Sequence, residues 1–167
     1  ERSSPVTPHM DAVDAIDIHA EDFKELHTKG VTSACFIPGS ANVICGTGLV
    51  AKTAGANTLA ELTVLHPAVM KCALGSNPKG HGKRGGAPMT RMGVAAIFRE
   101  ALSEAKAYGE KKKAAGEDKE KLPPYDPRWE ALLPVLRREI PLKIHCEQFD
   151  MLTAIAIAKE YDCDYTI

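Results

Sequence analysis

The sequence predicts an α/β protein with a mainly parallel sheet that is covered by helices. Strand-like runs alternate with helical segments along most of the 167 residues, and this alternation is typical of parallel sheets. The chain is 44% hydrophobic, which is enough to fill one core. A complete (β/α)8 barrel takes about 250 residues. The length therefore fits either an open doubly wound sheet or some of the units of a barrel.

The first third of the chain predicts one helix-to-strand unit after an extended segment. Residues 13–18 alternate apolar and acidic side chains, which favours a short strand. Residues 21–29 suit a short helix closed by Gly30, and residues 31–37 form a β-prone run. Glycines are spread among Val, Ile and Leu in residues 40–57, which predicts a folded-over loop with short paired strands.

The middle of the chain predicts a buried strand followed by the longest helix. Residues 66–75 are mostly apolar and end in a glycine, and residues 76–88 form a basic, glycine-rich loop. Apolar positions then keep helical spacing over residues 89–115, with Thr90 as a candidate N-cap.

The last third predicts a surface connection and then two strands separated by a helix. Residues 116–127 are charged and contain prolines, so we expect a solvated connection. A helix is predicted over residues 126–138, with its proline in the first turn. A strand over residues 141–146, a helix over residues 149–161 and the start of a strand at residues 163–167 complete the pattern.

Bulk charge and cysteine content exclude several classes of protein. The net charge of -1 and the pI near 6.7 provide no overall field for nucleic acid or an anionic membrane. No apolar run is long enough to span a bilayer, and the N-terminus lacks a signal-peptide core, so we expect a cytoplasmic protein. The five cysteines contain no CxxC pair, which argues against a disulfide framework or a zinc finger. Four of them lie in or beside apolar runs and are predicted to be core thiols: Cys35, Cys72, Cys146 and Cys163.

His145 is the sharpest candidate for a functional residue. Functional groups in parallel α/β folds lie at the carboxyl ends of strands, and His145 closes the predicted strand at residues 141–146. An imidazole there can give a neutral nitrogen to a metal, although a hydrogen-bonded core or rim histidine has the same pattern. Glu147, Gln148 and Asp150 follow closely and could orient a metal ligand or contact a substrate, while Asp150 could equally begin a helix.

Two groups of cations form a second set of candidates. The loop at residues 75–86 joins flexible backbone to Lys79, Lys83 and Arg84, which could cradle an anion, but it lacks the order of a nucleotide P-loop. A mobile surface loop is the alternative. Lys71 lies in an apolar run, where a buried lysine needs a partner, a lowered pKa or a chemical modification, unless it reaches solvent from the strand end.

Several short segments occur together in an order that is more specific than any one of them. They are G-V-T at 30–32, P-G-S-A-N-V-I at 38–44, K-T-A-G at 52–55, M-K-C-A-L-G-S-N-P-K at 70–79, T-R-M-G at 90–93 and I-P-L-K-I-H at 140–145. In this order the chain resembles the amidohydrolase superfamily, specifically its imidazolonepropionase-related branch. The resemblance implies part of a TIM (β/α)8 barrel of the metal-dependent hydrolase type. It also implies one or two divalent metals, most commonly zinc, and hydrolysis of amide or cyclic C–N bonds by metal-activated water.

The resemblance assigns roles to a few residues. His145 matches the metal-ligand histidine that ends the fifth barrel strand, and Lys71 falls near the position of a lysine that bridges two metals in some members. Independently of the resemblance, Glu147, Gln148 and Asn77 are the candidates for substrate contact, because they lie close to the ends of the predicted strands.

The chain also departs from the pattern of the superfamily. It has no His-x-His pair, no sixth-strand histidine and no eighth-strand aspartate, and Cys146-Glu147-Gln148 follows His145 where relatives often place a second histidine. One histidine cannot hold a catalytic zinc alone. We therefore expect residues 1–167 to be the central segment of a single barrel domain, incomplete at both ends and inactive in isolation.

These observations give a leading hypothesis and alternatives from other classes. The leading hypothesis is a metal-dependent amidohydrolase that takes a small-molecule substrate. One alternative is a non-catalytic α/β module that binds an anion with the loop at residues 75–86. The other is a structural half that exposes apolar strand edges and pairs with a second copy or with the remainder of its own polypeptide. Nucleic acid and membrane partners are not expected.

Overall fold

The computed structural model describes residues 3–167, except for the side chains of Lys83 and Arg84. One sheet has five strands in the order in which they occur along the chain: β1 (Ser33–Phe36), β2 (Ile44–Lys52), β3 (Thr63–Ala73), β4 (Leu142–His145) and β5 (Tyr165–Thr166). The helices are α1 (Glu21–Thr28), α2 (Leu59–Leu62), α3 (Arg91–Ala115), α4 (Pro127–Leu136) and α5 (Met151–Glu160). The α/β class is confirmed, and within the described residues the sheet does not close into a full barrel.

The sheet is mixed, so the prediction of a mainly parallel sheet was wrong for its first half. Strands β1, β2 and β3 pair antiparallel, whereas β3, β4 and β5 pair parallel. The lengths of the connections explain the difference. Only residues 37–43 join β1 to β2, while α3 and α4 lie between β3 and β4 and supply the long crossover that parallel strands need.

Strand β2 replaces the folded-over loop that its glycines predicted. It runs unbroken over nine residues, although it contains Gly46 and Gly48. A Cβ on Gly46 would lie 2.4 Å from the Met10 carbonyl oxygen, and one on Gly48 would lie 2.7 Å from Ile37 Cγ2. These glycines therefore allow close approach of neighbouring chain and do not form turns.

The N-terminal segment differs from its prediction as well. Residues 13–18 do not form a strand, because Ala12–Ala15 is a 3-10 turn capped by the Asp11 carboxylate, which accepts a hydrogen bond from Val13 N at 3.0 Å. Isolated bridges from Val6 to Ile44 and from Asp11 to Thr47 attach the segment to β2. It therefore supports the sheet without extending it.

The predicted helices are confirmed, and three of them have an identifiable start or stop signal. Helix α1 stops before Gly30, whose φ of 81° is unfavourable for other residues. Helix α3 begins after Thr90, whose hydroxyl accepts a hydrogen bond from Gly93 N at 3.0 Å. Helix α4 begins after Asp126, whose carboxylate accepts from Arg128 N at 2.9 Å. None of the helices in the described part of the chain is long and apolar enough to cross a membrane.

The two faces of the β3–β4 pair have different environments. Met70, Cys72, Leu142 and Ile144 alternate along these strands and pack in the main core, which also contains buried residues of α3, α4 and α5. The side chains between them point to the opposite face of the sheet, because successive residues of a strand alternate. The candidate site lies on that opposite face.

Cysteine burial follows the predictions with one exception. Cys72 and Cys163 are buried and Cys146 is half-buried, as expected, but Cys35 is exposed. Its strand, β1, is an edge strand with no fully buried position. An apolar run therefore did not guarantee burial at the edge of the sheet.

Candidate functional site at the carboxyl ends of β3 and β4

The register of β3 and β4 places a basic group on one face of the sheet. Lys71 pairs with Lys143, and two residues further along Ala73 pairs with His145. Partners in register point to the same face, and so do residues two apart. Both lysines and the histidine therefore share the face that the main core leaves uncovered.

These side chains line a cavity of about 420 Å³ at the strand ends. Its walls are Ile37, Pro38, Ser40, Lys71, Lys143, Ile144, His145, Cys146 and Ile167. We call it the lysine cavity. Two of its residues, Lys71 and His145, are the metal-ligand candidates of the sequence, so the fold brings them to one place.

Ser40 connects the two candidates. Nζ of Lys71 donates a hydrogen bond to Ser40 Oγ at 2.6 Å, and Nδ1 of His145 lies 2.5 Å from the same oxygen. The serine hydroxyl donates to Nδ1 or accepts from it, according to the tautomer of the imidazole. The three side chains therefore form one continuous hydrogen-bonded chain.

Lys71 is buried, with 4% of its surface exposed. Burial lowers the pKa of its ammonium, and the neighbouring Lys143 lowers it further, while Cys45 and Cys72 act in the opposite direction. Burial also raises the pKa of the thiol of Cys45 and raises that of Cys72 well above its ordinary value. Both thiols are therefore neutral near pH 7, and their opposing effect on the pKa of Lys71 applies only at higher pH, where they ionise.

The predicted substrate contact Glu147 is engaged by other side chains. Its carboxylate accepts hydrogen bonds from the backbone and hydroxyl of Ser76 and forms an ion pair with Arg91. Arg91 Nε also lies 3.2 Å from the Asp150 carboxylate, which is buried. These contacts fasten the loop after β4 to the loop after β3 and to the first turn of α3.

The other two substrate-contact candidates lie outside the lysine cavity. Gln148 begins a 3-10 turn and is exposed, and Asn77 is exposed at the start of the turn Pro78–Arg84. Neither they nor Glu147 line the cavity. Their role in substrate contact stays a prediction.

The anion-binding loop of the sequence is only partly described. Residues 78–84 form a 3-10 helix, and Lys79 is half-buried, while the side chains of Lys83 and Arg84 lie outside the described residues. The prediction that these three cations grip an anion is not tested by the structure.

A series of hydrogen-bonded polar side chains, which the sequence did not predict, supports the loop at residues 75–86. Nε2 of His81 lies 2.9 Å from Asn42 Oδ1, and Asn42 Nδ2 donates to Thr7 Oγ1 at 2.7 Å. The Thr7 hydroxyl is within 3.2 Å of the carbonyl of Ile44. These contacts join the N-terminal segment, the loop before β2 and the loop after β3.

Sequence reasoning also missed Ser40 and Lys143 as members of the site. Lys143 carried a usable signal, because it stands two residues before His145 on one strand and must therefore share its face. Ser40 carried a weaker signal, because it follows the predicted strand at residues 31–37, but its contact with His145, 105 positions away, depends on the fold.

A second cavity, of about 660 Å³, lies between α3 and α4. Its walls combine Leu133 and Leu136 with charged side chains such as Lys106, Glu110 and Arg137, and include no histidine or cysteine. It is larger than the lysine cavity, but it lies away from the strand ends.

The described residues contain no group of three or more His, Cys, Asp or Glu side chains that could hold a metal ion. In the lysine cavity His145 is the one imidazole and no carboxylate is present. Lys71, in the state that donates to Ser40, has no lone pair for a metal. These residues therefore do not build a metal site on their own.

Comparison with known proteins shows similarity to amidohydrolases. The chain is 31% identical over 174 residues to amidohydrolase tasK of Hapsidospora irregularis, an alignment that covers 93% of this chain and 18% of that protein. The crystal structure of an amidohydrolase from Thermotoga maritima MSB8 matches with a TM-score of 0.93 and 36% identity, over 99% of this chain and 43% of that one. The chain is similar in sequence and fold to amidohydrolases. No protein-family profile matches it.

The similarity covers only part of each amidohydrolase. The chain spans less than half of the solved amidohydrolase and less than a fifth of the curated one. Both names support the amidohydrolase class, and neither specifies the imidazolonepropionase-related branch, which stays a prediction. The comparisons do not favour the alternative of a non-catalytic anion-binding module.

Proposed function

We propose that this chain is the central segment of an amidohydrolase and that the lysine cavity belongs to its active site. The observation that carries the proposal is the position of His145 in an amidohydrolase-like fold. It ends β4, faces the open side of the sheet and shares Ser40 with the buried Lys71. Active sites of parallel barrels lie at the carboxyl ends of strands.

The proposed reaction is hydrolysis of an amide or cyclic C–N bond of a small molecule. Such a reaction needs an activated water molecule and stabilisation of the oxyanion that forms when water attacks the carbonyl carbon. The His145 imidazole can give a neutral nitrogen to a proton or a metal. The ammonium groups of Lys71 and Lys143 lie on the same face and can stabilise developing negative charge.

The proposal includes metal dependence only for a protein that is longer than these 167 residues. The resemblance implies one or two divalent metals, with zinc as the first candidate, but the residues of this cavity do not fit a metal without further ligands. The proposal is that these ligands belong to parts of the barrel that correspond to the rest of the longer amidohydrolases.

The partner in this proposal is the remainder of the same barrel or a second copy. Strand β5 lies at the edge of the five-stranded sheet, and an edge strand can pair with a strand of another segment or another copy. Light scattering on the isolated 167-residue chain tests this point. The proposal predicts self-association, and a stable compact monomer would contradict it.

The functional test measures amine release from a panel of N-acyl amino acids, cyclic amides and cyclic ureas by the full-length protein. His145→Ala is expected to lower kcat/KM by about 10²- to 10⁴-fold, since it removes the imidazole from the site. His27→Ala is the matched control, because His27 lies exposed on α1 and does not line the lysine cavity. Equal activity of the two variants would reject the role of His145.

A further inference from the structure

We propose that Arg91 is a positioning residue, which holds the His145 imidazole in place through the loop that follows β4. The inference deepens the proposed function and rests on it, because it names a residue outside the lysine cavity on which the role of His145 depends. Arg91 does not line that cavity. It acts through the carboxylates of Glu147 and Asp150, which lie two and five residues after His145.

The segments that follow β3 and β4 stay in contact beyond the ends of the two strands. Leu74 N donates a hydrogen bond to the His145 carbonyl oxygen at 2.8 Å, which continues the pairing of the strands by one step. Two residues later, Ser76 N donates to the Glu147 carboxylate at 3.2 Å, and the Ser76 hydroxyl also donates to this carboxylate. The segment after each strand is therefore attached to the segment after the other.

The packing between these two segments leaves no space for a side chain at Gly75. This residue has a φ of 85°, in the left-handed region that favours glycine. A Cβ on Gly75 would lie 2.9 Å from Asp150 Oδ2 and 3.3 Å from the Glu147 carboxyl carbon. Both carboxylates therefore lie directly against the backbone of the loop after β3.

Arg91 completes the arrangement from the first turn of α3. Its Nη2 forms an ion pair with the Glu147 carboxylate, and its Nε lies 3.2 Å from the Asp150 carboxylate, which is buried. One planar guanidinium thus joins two carboxylates in directions that its own geometry fixes. We call these residues the loop clasp: Ser76, Arg91, Glu147 and Asp150.

The position of the His145 imidazole depends on the backbone that the loop clasp holds. The residue is exposed, and in the described part of the chain its side chain has one hydrogen-bond partner, Ser40. Packing therefore does not confine the ring, and a displacement of the backbone after β4 moves the ring relative to Ser40. A misplacement of about 1 Å in an active site can lower a rate by about 10²-fold.

An ion pair that only stabilises the fold is the alternative, and the protein contains a matched example. Arg99 also lies on α3 and pairs with Glu160, the last residue of α5, at 2.7 Å. Both arginines join α3 to the part of the chain around α5, but Arg91 does so beside the strand ends. Arg99→Ala therefore removes a comparable ion pair and leaves the loop clasp intact.

The test is the ¹H–¹³C NMR signal of the His145 ring in the full-length protein, labelled with ¹³C-histidine. The signal is assigned by its loss in His145→Ala. Arg91→Ala is expected to shift or broaden it, and Ser76→Ala is expected to shift it in the same direction by a smaller amount. Ser76→Thr, which retains the hydroxyl, and Arg99→Ala are expected to leave it unchanged. Ser76 is exposed, so its variants keep the test valid if Arg91→Ala does not fold.

Steady-state hydrolysis by the same variants is the second measurement. Arg91→Ala is expected to lower kcat by about tenfold or more and to change KM by less than about threefold. The reason is that Arg91 positions the imidazole and does not contact the substrate. Arg99→Ala is expected to keep the kcat of the wild type.

The outcomes separate this inference from the proposed function. An unchanged His145 signal in Arg91→Ala and Ser76→Ala, or equal shifts in Arg91→Ala and Arg99→Ala, would overturn the inference. A rise in KM without a fall in kcat would overturn it as well. If the signal shifts as expected but His145→Ala keeps full hydrolysis, the proposed function fails and the positioning of His145 by Arg91 stands.

Discussion

Lys71 and Lys143 stand side by side on neighbouring parallel strands, with both side chains on the face that the main core leaves open. Lys71 is buried, and burial lowers the pKa of its ammonium. A buried cation beside a second cation opposes folding, so this pair costs stability that the hydrophobic core has to offset. Such a cost at the end of two strands is typical of a site kept for function.

Replacing Lys71 with methionine is expected to stabilise the fold at neutral pH. The unfolded chain has the ordinary lysine pKa of 10.5, and the folded pKa is lower. At pH values below the folded pKa the charged form opposes folding in full, so Lys71→Met should gain about 1 to 3 kcal/mol in urea denaturation. The gain should shrink as pH rises from the folded pKa towards 10.5, because the folded state has already released its proton there.

Lys119→Met serves as the matched control for this pH series, because Lys119 is exposed. Its free energy of unfolding should follow that of the wild type at every pH. A constant difference between Lys71→Met and the wild type across the same window would contradict the buried-cation explanation.

Arg91 is predicted to stabilise the loop that follows β4. Arg91→Ala leaves the buried Asp150 carboxylate without its cation, so we expect a loss of about 1 to 3 kcal/mol in the free energy of unfolding. Arg137→Ala breaks a surface pair with Glu139 in which both side chains are more than half exposed, and it should cost less than about 0.5 kcal/mol. Equal losses of unfolding free energy in the two variants would show that the contact of Arg91 with Asp150 stabilises the protein no more than a surface ion pair.

Gly48 is predicted to be essential for the pairing of β1 with β2. A Cβ there would lie 2.7 Å from Ile37 Cγ2 and 2.8 Å from the Phe36 carbonyl oxygen, so Gly48→Ala should destabilise the protein by about 1 to 3 kcal/mol. Nothing lies within 4 Å of the equivalent position at Gly80, and Gly80→Ala should change stability by less than about 0.5 kcal/mol. Thermal unfolding of the two variants, followed by circular dichroism, makes the comparison, and a tolerated Gly48→Ala would contradict the packing described here.

The start of α3 provides a prediction that rests on a single hydrogen bond. Thr90→Ala removes the acceptor for Gly93 N and should cost about 1 kcal/mol, whereas Thr90→Ser keeps the hydroxyl and should cost little. Urea denaturation of both variants is the measurement. A similar loss in the two would mean that the methyl group of Thr90, and not its hydroxyl, supports the helix.

Local signals were sufficient to predict the helices and most of the strands. Helical spacing and the Thr90 cap identified α3, and the strand-end position of His145 was correct. Sequence periodicity indicates helices and strands but not which strands pair with each other. The antiparallel pairing of β1 with β2 was therefore not predicted. The glycines of β2 suggested turns, but Gly46 and Gly48 lie within a continuous strand and allow close packing there.

The candidate site could be predicted only in part for a similar reason. His145 and Lys71 stood out individually, because each is an unusual residue in an apolar run. Their connection through Ser40 depends on a loop that is distant in the sequence. Glu147 was expected to contact a substrate from its sequence neighbourhood alone, and the structure shows it held by Arg91 and Ser76.

The most direct test of a hydrolytic site at the lysine cavity is a crystal structure of the full-length protein with a product of amide hydrolysis bound. We expect the product's carboxylate in this cavity, with an oxygen about 2.7 to 3.2 Å from Nζ of Lys143 and the reacting carbon beside His145. A product bound instead in the groove between α3 and α4, with His145 still paired only to Ser40, would contradict it.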